Sequence, residues 1–153
     1  MQIEIRESVE SDIAALRGRL RDADEKEVIA AGNKDGEDAL RQSYARSTLR
    51  YTVQLDGAPV AMYGIVPESL VGEAANVWFL GAPEMSRIKK TFVKVSRKVI
   101  ADFLLEYPRL WNVVDSRYVS AIRWLESCGA VFHKEPIMLG GVEFYGFTIR
   151  RQA

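Results

Sequence analysis

Few residues in this sequence could do chemistry, and each has a structural role to weigh beside it. His133 is the single histidine and Cys128 the single cysteine. Zinc held in the usual way by several nitrogen and sulfur ligands cannot be assembled from these two, so no metal site is expected. One cysteine forms no internal disulfide either, which fits a reducing compartment. His133 could serve as a base, because its ordinary pKa is the one near neutrality. A lone histidine in a strand is more often structural. Cys128 stands next to Gly129 with no base beside it in sequence, and packing explains it better than nucleophilic attack. Asp115 and Ser116 close an apolar run, LWNVV, at the end of a strand where open α/β sheets place ligands. Either could touch a substrate, and either could cap the helix that follows. Arg87, Lys89, Lys90, Lys94, Arg97 and Lys98 form a basic run with no acidic residue until Asp102. Such runs are usually solvated helix faces. The single sign nevertheless makes this one a candidate docking surface, with Lys89, Lys90 and Thr91 placed to meet phosphate groups.

The elements that must position these residues are legible as periodicity. QIEIR alternates as a short strand, after which Ser8 or Ser11 can cap a helix carrying Ile13, Leu16 and Leu20. GNKDG breaks the chain, and a second helix from about Glu37 to Ser47 turns Ala39, Leu40 and Tyr44 inward. YTVQLDGAPVAMYGIV is a hairpin with Asp56-Gly57 as its turn, and ANVWFLGA is a further buried strand. The longest helix is expected to begin near Ser86, with Ile88, Phe92, Val95, Val99 and Phe103 as its core stripe. LWNVV is the next strand, Arg117 to Cys128 a helix stopped by Gly129, and AVFHKE and VEFYGFTIRR two closing strands joined through MLGG. The expected order is strand, two helices, three strands, helix, strand, helix, two strands, an α/β sheet with helices on its faces. Trp78, Trp111 and Trp124 read as core or half-core aromatics.

Composition bounds the function. A chain of 153 residues, 48% of them hydrophobic, suits one domain with one core. Its 21 basic and 21 acidic side chains cancel, so attraction to nucleic acid or anionic lipid has to be local, and nucleic acid is disfavoured as a partner. No apolar run approaches the length of a membrane span. MQIEIRESVESD carries charge where a secretory signal would be apolar, which points to the cytoplasm.

The order of elements, together with AIRWLESCGAVF, resembles the GNAT superfamily of acyl-CoA N-acyltransferases over nearly the whole chain. The family helix, written roughly Asn, two residues, Ala, three residues, Tyr, three residues, Gly-Phe, places its alanine on Ala121 and its glycine on Gly129. Tyr118, Leu125 and Ala130 stand at the asparagine, tyrosine and phenylalanine positions. The resemblance implies a mixed, mostly antiparallel central sheet flanked by helices, with acetyl-CoA or CoA as the cofactor. Carried over position by position, it implies that Leu80, Ala82, Ser86, Arg87, Lys89, Lys90, Thr91 and Tyr118 would line the cofactor. Asp115, Ser116 and His133 are then the catalytic candidates. In the family, the strand before the longest helix leads into an Arg-Gly-x-Gly-x-Gly/Ala loop whose amides hold the CoA pyrophosphate. Here that slot reads SRIKKT, and the general-acid tyrosine is Leu125.

RLWNVVDSRYVSAIRWLESCGAVFHKE and FTIRR, with VWFLGA before a basic helix, further resemble the internal virion protein A family of short-tailed phages, a GNAT-like group. That resemblance implies an interaction protein in virion morphogenesis or host-protein targeting, with a degenerate acyl-CoA site. Its partner would be a phage virion protein or a host protein, met in the host cytoplasm or the assembling virion. The alternative is an active acetyl-CoA-dependent N-acyltransferase acting on a protein or small amine. In that case Lys89 or Lys90 would replace the lost amide contacts, and Asp115 or a water would be the base.

Overall fold

The computed structural model describes residues 1–69 and 71–152. Its elements run β1 (Ile3–Glu7), α1 (Ser11–Leu16), α2 (Asp22–Ala30), α3 (Gly36–Arg46), β2 (Leu49–Leu55), β3 (Ala58–Pro67), β4 (Ala74–Gly81) and a 3₁₀ helix (Pro83–Ile88). They continue with α4 (Lys89–Glu106), β5 (Arg109–Asp115), α5 (Val119–Ser127), β6 (Val131–Phe132), β7 (Ile137–Leu139) and β8 (Val142–Arg150). This is a mixed α/β fold with a mostly antiparallel sheet flanked by helices, the class the sequence implies. The chain forms two compact units, one of Met1–Val66 and Val77–Arg87, the other of Pro67–Asn76 and the residues from Ile88 on.

In the first unit β1, β2 and β3 pair in sequence order, all antiparallel. Asp56 and Gly57 both take positive φ, 51° and 84°, the backbone of the two-residue turn whose twist matches a hairpin. Gly64 pairs with Arg50 across the ladder, and a Cβ there would clash with the Leu49 carbonyl oxygen. No side chain fits there. The core joins Ile13 and Leu16 of α1, Ala39 and Leu40 of α3, Met62 of β3, and Trp78 and Leu80 of β4. Trp78 satisfies its indole by donating to Ser47 Oγ at 2.8 Å.

Neither Ser8 nor Ser11 caps α1. Ser8 is buried and shares a 2.7 Å hydrogen bond with Thr52 Oγ1. Asp12 instead reaches back to accept from the Val9 amide at 2.9 Å. Its buried carboxylate also accepts from Thr52 Oγ1 at 2.7 Å and from both guanidinium nitrogens of Arg6 at 2.9 and 2.7 Å. β1, β2 and α1 are thereby fastened to one charge. α2 is an element that periodicity misses, because DADEKEVIA has no amphipathic spacing. Its stability comes from Asp22, Asp24 and Glu25 in the first turn, where acids suit the helix dipole.

β8 organises the second unit. It pairs antiparallel with β5 from Arg109↔Arg150 to Asp115↔Phe144. Along its other edge it pairs with β6 and then β7. β5 runs parallel to Ala74–Asn76 of β4, and a parallel pair requires a crossover, here α4. β7 was not expected: Gly140 and Gly141, φ 53° and 76°, fold IML back onto β8 as a tight hairpin. β6 is only two residues long, and the His133 amide adds one further bond to the Gly146 carbonyl at 2.8 Å. α4 starts at Lys89 rather than Ser86, because Pro83–Ile88 winds as 3₁₀. Its buried positions are Ser96, Ile100, Phe103 and Leu104, a stripe rotated from the expected one, with Phe92, Val95 and Val99 half-buried. The rotation follows from Ser96, whose hydroxyl accepts from Trp124 Nε1 at 2.9 Å and donates to the Val93 carbonyl at 2.9 Å. A polar residue so satisfied can face the core.

Burial pushes the Asp12 carboxyl up, but the bonds from Arg6, Val9 and Thr52 outweigh it and hold the group below its ordinary 3.8. A carboxyl depressed on folding stabilises fully above its unfolded pKa and loses that contribution as pH falls through the lower folded value. Asp12→Ala is expected to cost about 3 kcal/mol at neutral pH, read as a lower urea midpoint. Asp12→Asn should flatten the acid dependence of stability below about pH 4 relative to the unmodified chain.

Candidate functional site

The sequence-predicted site residues divide between the two units. In the first, Leu80 turns its side chain into the core, and Ala82 is fully buried with its amide donating to the Val60 carbonyl at 2.8 Å. Between them Gly81 is held at both backbone groups: its N–H donates to Asp24 Oδ2 at 2.9 Å and its carbonyl accepts from the Arg21 amide at 2.8 Å. Asp24 is 3% exposed, and Arg21 adds Nε and Nη bonds of 3.0 and 2.7 Å to the same oxygen. The Arg21 guanidinium lies 5.5 Å from the centre of the Phe79 ring. A Cβ built on Gly81 would come to 3.0 Å from Phe79 and 3.2 Å from Met85 Cγ, so the space beside this glycine is filled. Met85 is buried, and its amide donates to the Ala82 carbonyl at 3.1 Å to open the 3₁₀ helix. Ser86 and Arg87 are exposed on that helix.

In the second unit Lys89, Lys90 and Thr91 form the exposed first turn of α4. Asp115 is buried at the end of β5, and its carboxylate accepts from the Arg117 amide at 2.9 Å, Arg117 Nε at 3.0 Å and Arg117 Nη at 2.8 Å. The same contact raises the guanidinium pKa. Capping by the side chain of Asp115 or Ser116 is thus corrected: α5 begins after Tyr118, the Tyr118 amide bonds the Asp115 carbonyl, and the Ser116 amide bonds the Glu143 carbonyl. His133 is exposed, donates its backbone N–H to Gly146 at 2.8 Å and places Nε2 3.0 Å from Thr148 Oγ1. Its ring covers Gly146, where a Cβ would meet Nδ1 at 2.7 Å. His133 and Asp115 flank β8 on opposite edges, with the His133 ring beside Thr148 and the Asp115 carboxylate closed on Arg117.

Leu125, at the position where the resemblance places a general acid, is buried and carries no proton to give. Cys128 lies 3.8 Å from Ser96 Oγ in the packing around Trp124. Burial pushes its thiol pKa up, and bonds from Ser96 and Ser127 with the charge of Arg97 only partly offset that. Among the described residues no group of three or more His, Cys, Asp or Glu side chains is placed to hold a metal ion. No helix of the described chain is long and apolar enough to cross a membrane. Sequence reasoning missed Arg21 and Asp24, because the helix that carries Asp24 shows no apolar period and its bond to Gly81 spans 57 residues.

Solved structures of this fold are N-acetyltransferases of the GNAT class. The spermidine N-acetyltransferase of Vibrio cholerae, in complex with CoA and spermine, matches with a TM-score of 0.67 over 98% of this chain and 96% of its own, at 14% identity. The ribosomal-protein-S18-alanine N-acetyltransferase of Escherichia coli matches with a TM-score of 0.71 over 99% and 96%, also at 14% identity. At that identity the likeness establishes the fold. Residues 53–136 match the family described as Bacteriophage T7, probable scaffold protein Gp13. The probable scaffold protein gp13 of Escherichia phage T7 is 32% identical over 116 residues, 73% of this chain and 78% of that protein. The chain belongs to this phage family.

The raised thiol pKa gives a direct expectation: Cys128 should alkylate with iodoacetamide more slowly than free cysteine at neutral pH, and speed up only under alkaline conditions. Rates measured by mass spectrometry across pH check this.

Proposed function

We propose that the chain acts as an interaction protein in phage virion morphogenesis, on a GNAT scaffold whose acyl-CoA site is degenerate. The observation that carries this reading is the Gly81 amide bonded to the buried Asp24 carboxylate. A fold that grips an anionic cofactor at the end of this strand needs backbone amides turned outward and room beside them. Here the amides of Gly81, Ala82 and Met85 all have internal acceptors, one of them an anion, and Met85 fills the space beside the glycine. The strand end before the Ser86–Thr91 slot is thus closed by the protein's own groups, the slot itself carries no glycine that would let a pyrophosphate approach, and no chemical step is derived through CoA.

The catalytic candidates support the same reading. Asp115 is engaged by Arg117, His133 by Thr148, and no hydroxyl stands at Leu125. The name of the T7 relative, probable scaffold protein, adds weight to an assembly role with a phage virion protein as partner, within the host cytoplasm or the assembling virion. Host-protein targeting is the second interaction role. The active-acyltransferase alternative draws on the exposed first turn of α4, where Lys89, Lys90 and Thr91 still offer charge.

Calorimetric titration with acetyl-CoA and with CoA is expected to give no heat beyond dilution at moderate salt. Micromolar binding of acetyl-CoA together with turnover would overturn the proposal. If binding appears, loss of affinity in Lys89→Glu with Lys90→Glu would assign it to the helix start. We also propose that the chain is one folding domain, because β4 contributes residues to both compact units. Thermal unfolding followed by far-UV circular dichroism and by tryptophan fluorescence should then give coincident transitions, and two separate midpoints would refute it.

A further inference from the structure

We propose that the solvent face of α4 docks an acidic, amphipathic helical segment of a partner protein; this rests on the interaction reading above and names the partner's chemistry. Lys90, Lys94, Arg97, Lys98, Ala101 and Leu105 recur at helical spacing on one face, and all six are exposed. They span about 22 Å at 1.5 Å per residue, the footprint of a four-turn helix. Lys98 alone among the four basic residues has a carboxylate within ion-pair distance, Asp102 at 3.4 Å, and that pair is open to solvent with Lys98 81% exposed. Such a pair contributes little and exchanges readily. Lys90, Lys94 and Arg97 have no carboxylate partner among the described residues. A single-sign stripe on a chain whose total charge is zero is a local field, and its complement is a row of acidic side chains.

The stripe ends in Leu105, 73% exposed. This separates the two polyanions the stripe could meet. A phosphate backbone has nothing to place against a leucine, whereas an acidic helix with an apolar residue two turns beyond its carboxylates buries it. The face also lacks the aromatic side chains on which single-stranded bases stack.

The test uses the full chain and labelled probes read by fluorescence anisotropy. One probe is a helical peptide of about 16 residues, the length of the stripe, with glutamates at i, i+4, i+7 and i+8 and a leucine two turns beyond, at i+15. The second replaces that leucine by serine, and the third is a DNA duplex. The leucine peptide should bind best, with affinity falling as salt rises. Lys94→Glu with Arg97→Glu should weaken it at least tenfold. Leu105→Ser should erase the difference between the two peptides. Lys94→Ala with Arg97→Ala, which preserves helix propensity, should show a smaller loss in the same direction. DNA binding as tight as the leucine peptide would overturn the proposal in favour of nucleic acid. Absent peptide binding, or equal binding by the charge-reversed chain, would overturn it outright. Acetyl-CoA is titrated into the same sample: turnover there would count against the interaction reading, while missing peptide binding in a chain that ignores acetyl-CoA counts against this surface alone.

Discussion

A carboxylate taken out of water must be paired or it unfolds its surroundings, and the Asp24 carboxylate is paired with a backbone amide at the end of a strand. Transfer of an unpaired charge into the interior costs several kcal/mol even after relaxation. Asp24 meets that cost with two bonds from Arg21 and one from Gly81, all on a single oxygen. The consequence reaches beyond stability. Once the Gly81 amide serves an internal anion, it is closed to an external one, and α2 is tied to the strand end across 57 residues of sequence. The space beside Gly81 is likewise filled, by Phe79 and by Met85, whose amide opens the 3₁₀ turn.

Asp12 and Asp115 repeat the device. Each is buried at a junction between a strand and the next element, and each is held by an arginine together with a backbone amide. In all three cases the guanidinium supplies a fork of donors that a lysine could not, which fixes the carboxylate geometry as well as its charge. Asp115, the acid that looked most available for chemistry, is thus a joint of the fold. His133 and Cys128 are absorbed in the same way, the first covering a glycine of β8 and the second packed near Ser96. A side chain already bonded from several sides is poorly suited to changing its protonation or its partner during a reaction.

What was legible in the sequence was local. Asp56-Gly57 announced its hairpin because the turn chemistry lies in two adjacent residues, alternation marked β2, and β3, β4 and β5 showed as short apolar runs. α2 was hidden, since DADEKEVIA shows no apolar period and is defined by dipole-matched acids and the contacts of Asp24. The shifted stripe of α4 was hidden too, because nothing local reveals that Ser96 accepts from an indole 28 residues on. For the candidate site, the missing glycines and Leu125 were plain in the letters. That Asp115 would close on Arg117 two residues later, rather than cap a helix or await a substrate, depended on the backbone turn between β5 and α5.

The retention of a fold and the keeping of a ligand grip have separate physical requirements. Fold is carried by apolar periodicity and by turns, both spread over many residues, so 13–15% identity to acetyltransferases is enough to keep it. A phosphate grip is carried by a few amides that must remain unbonded, an arrangement that is costly unless a ligand repays it. Where no ligand is bound in the cell, nothing opposes side chains that satisfy those amides internally and stabilise the strand end. Polar groups still without an internal partner stand on the outer face of α4, where among the described residues Lys98 alone of Lys90, Lys94, Arg97 and Lys98 has an ion-pair partner.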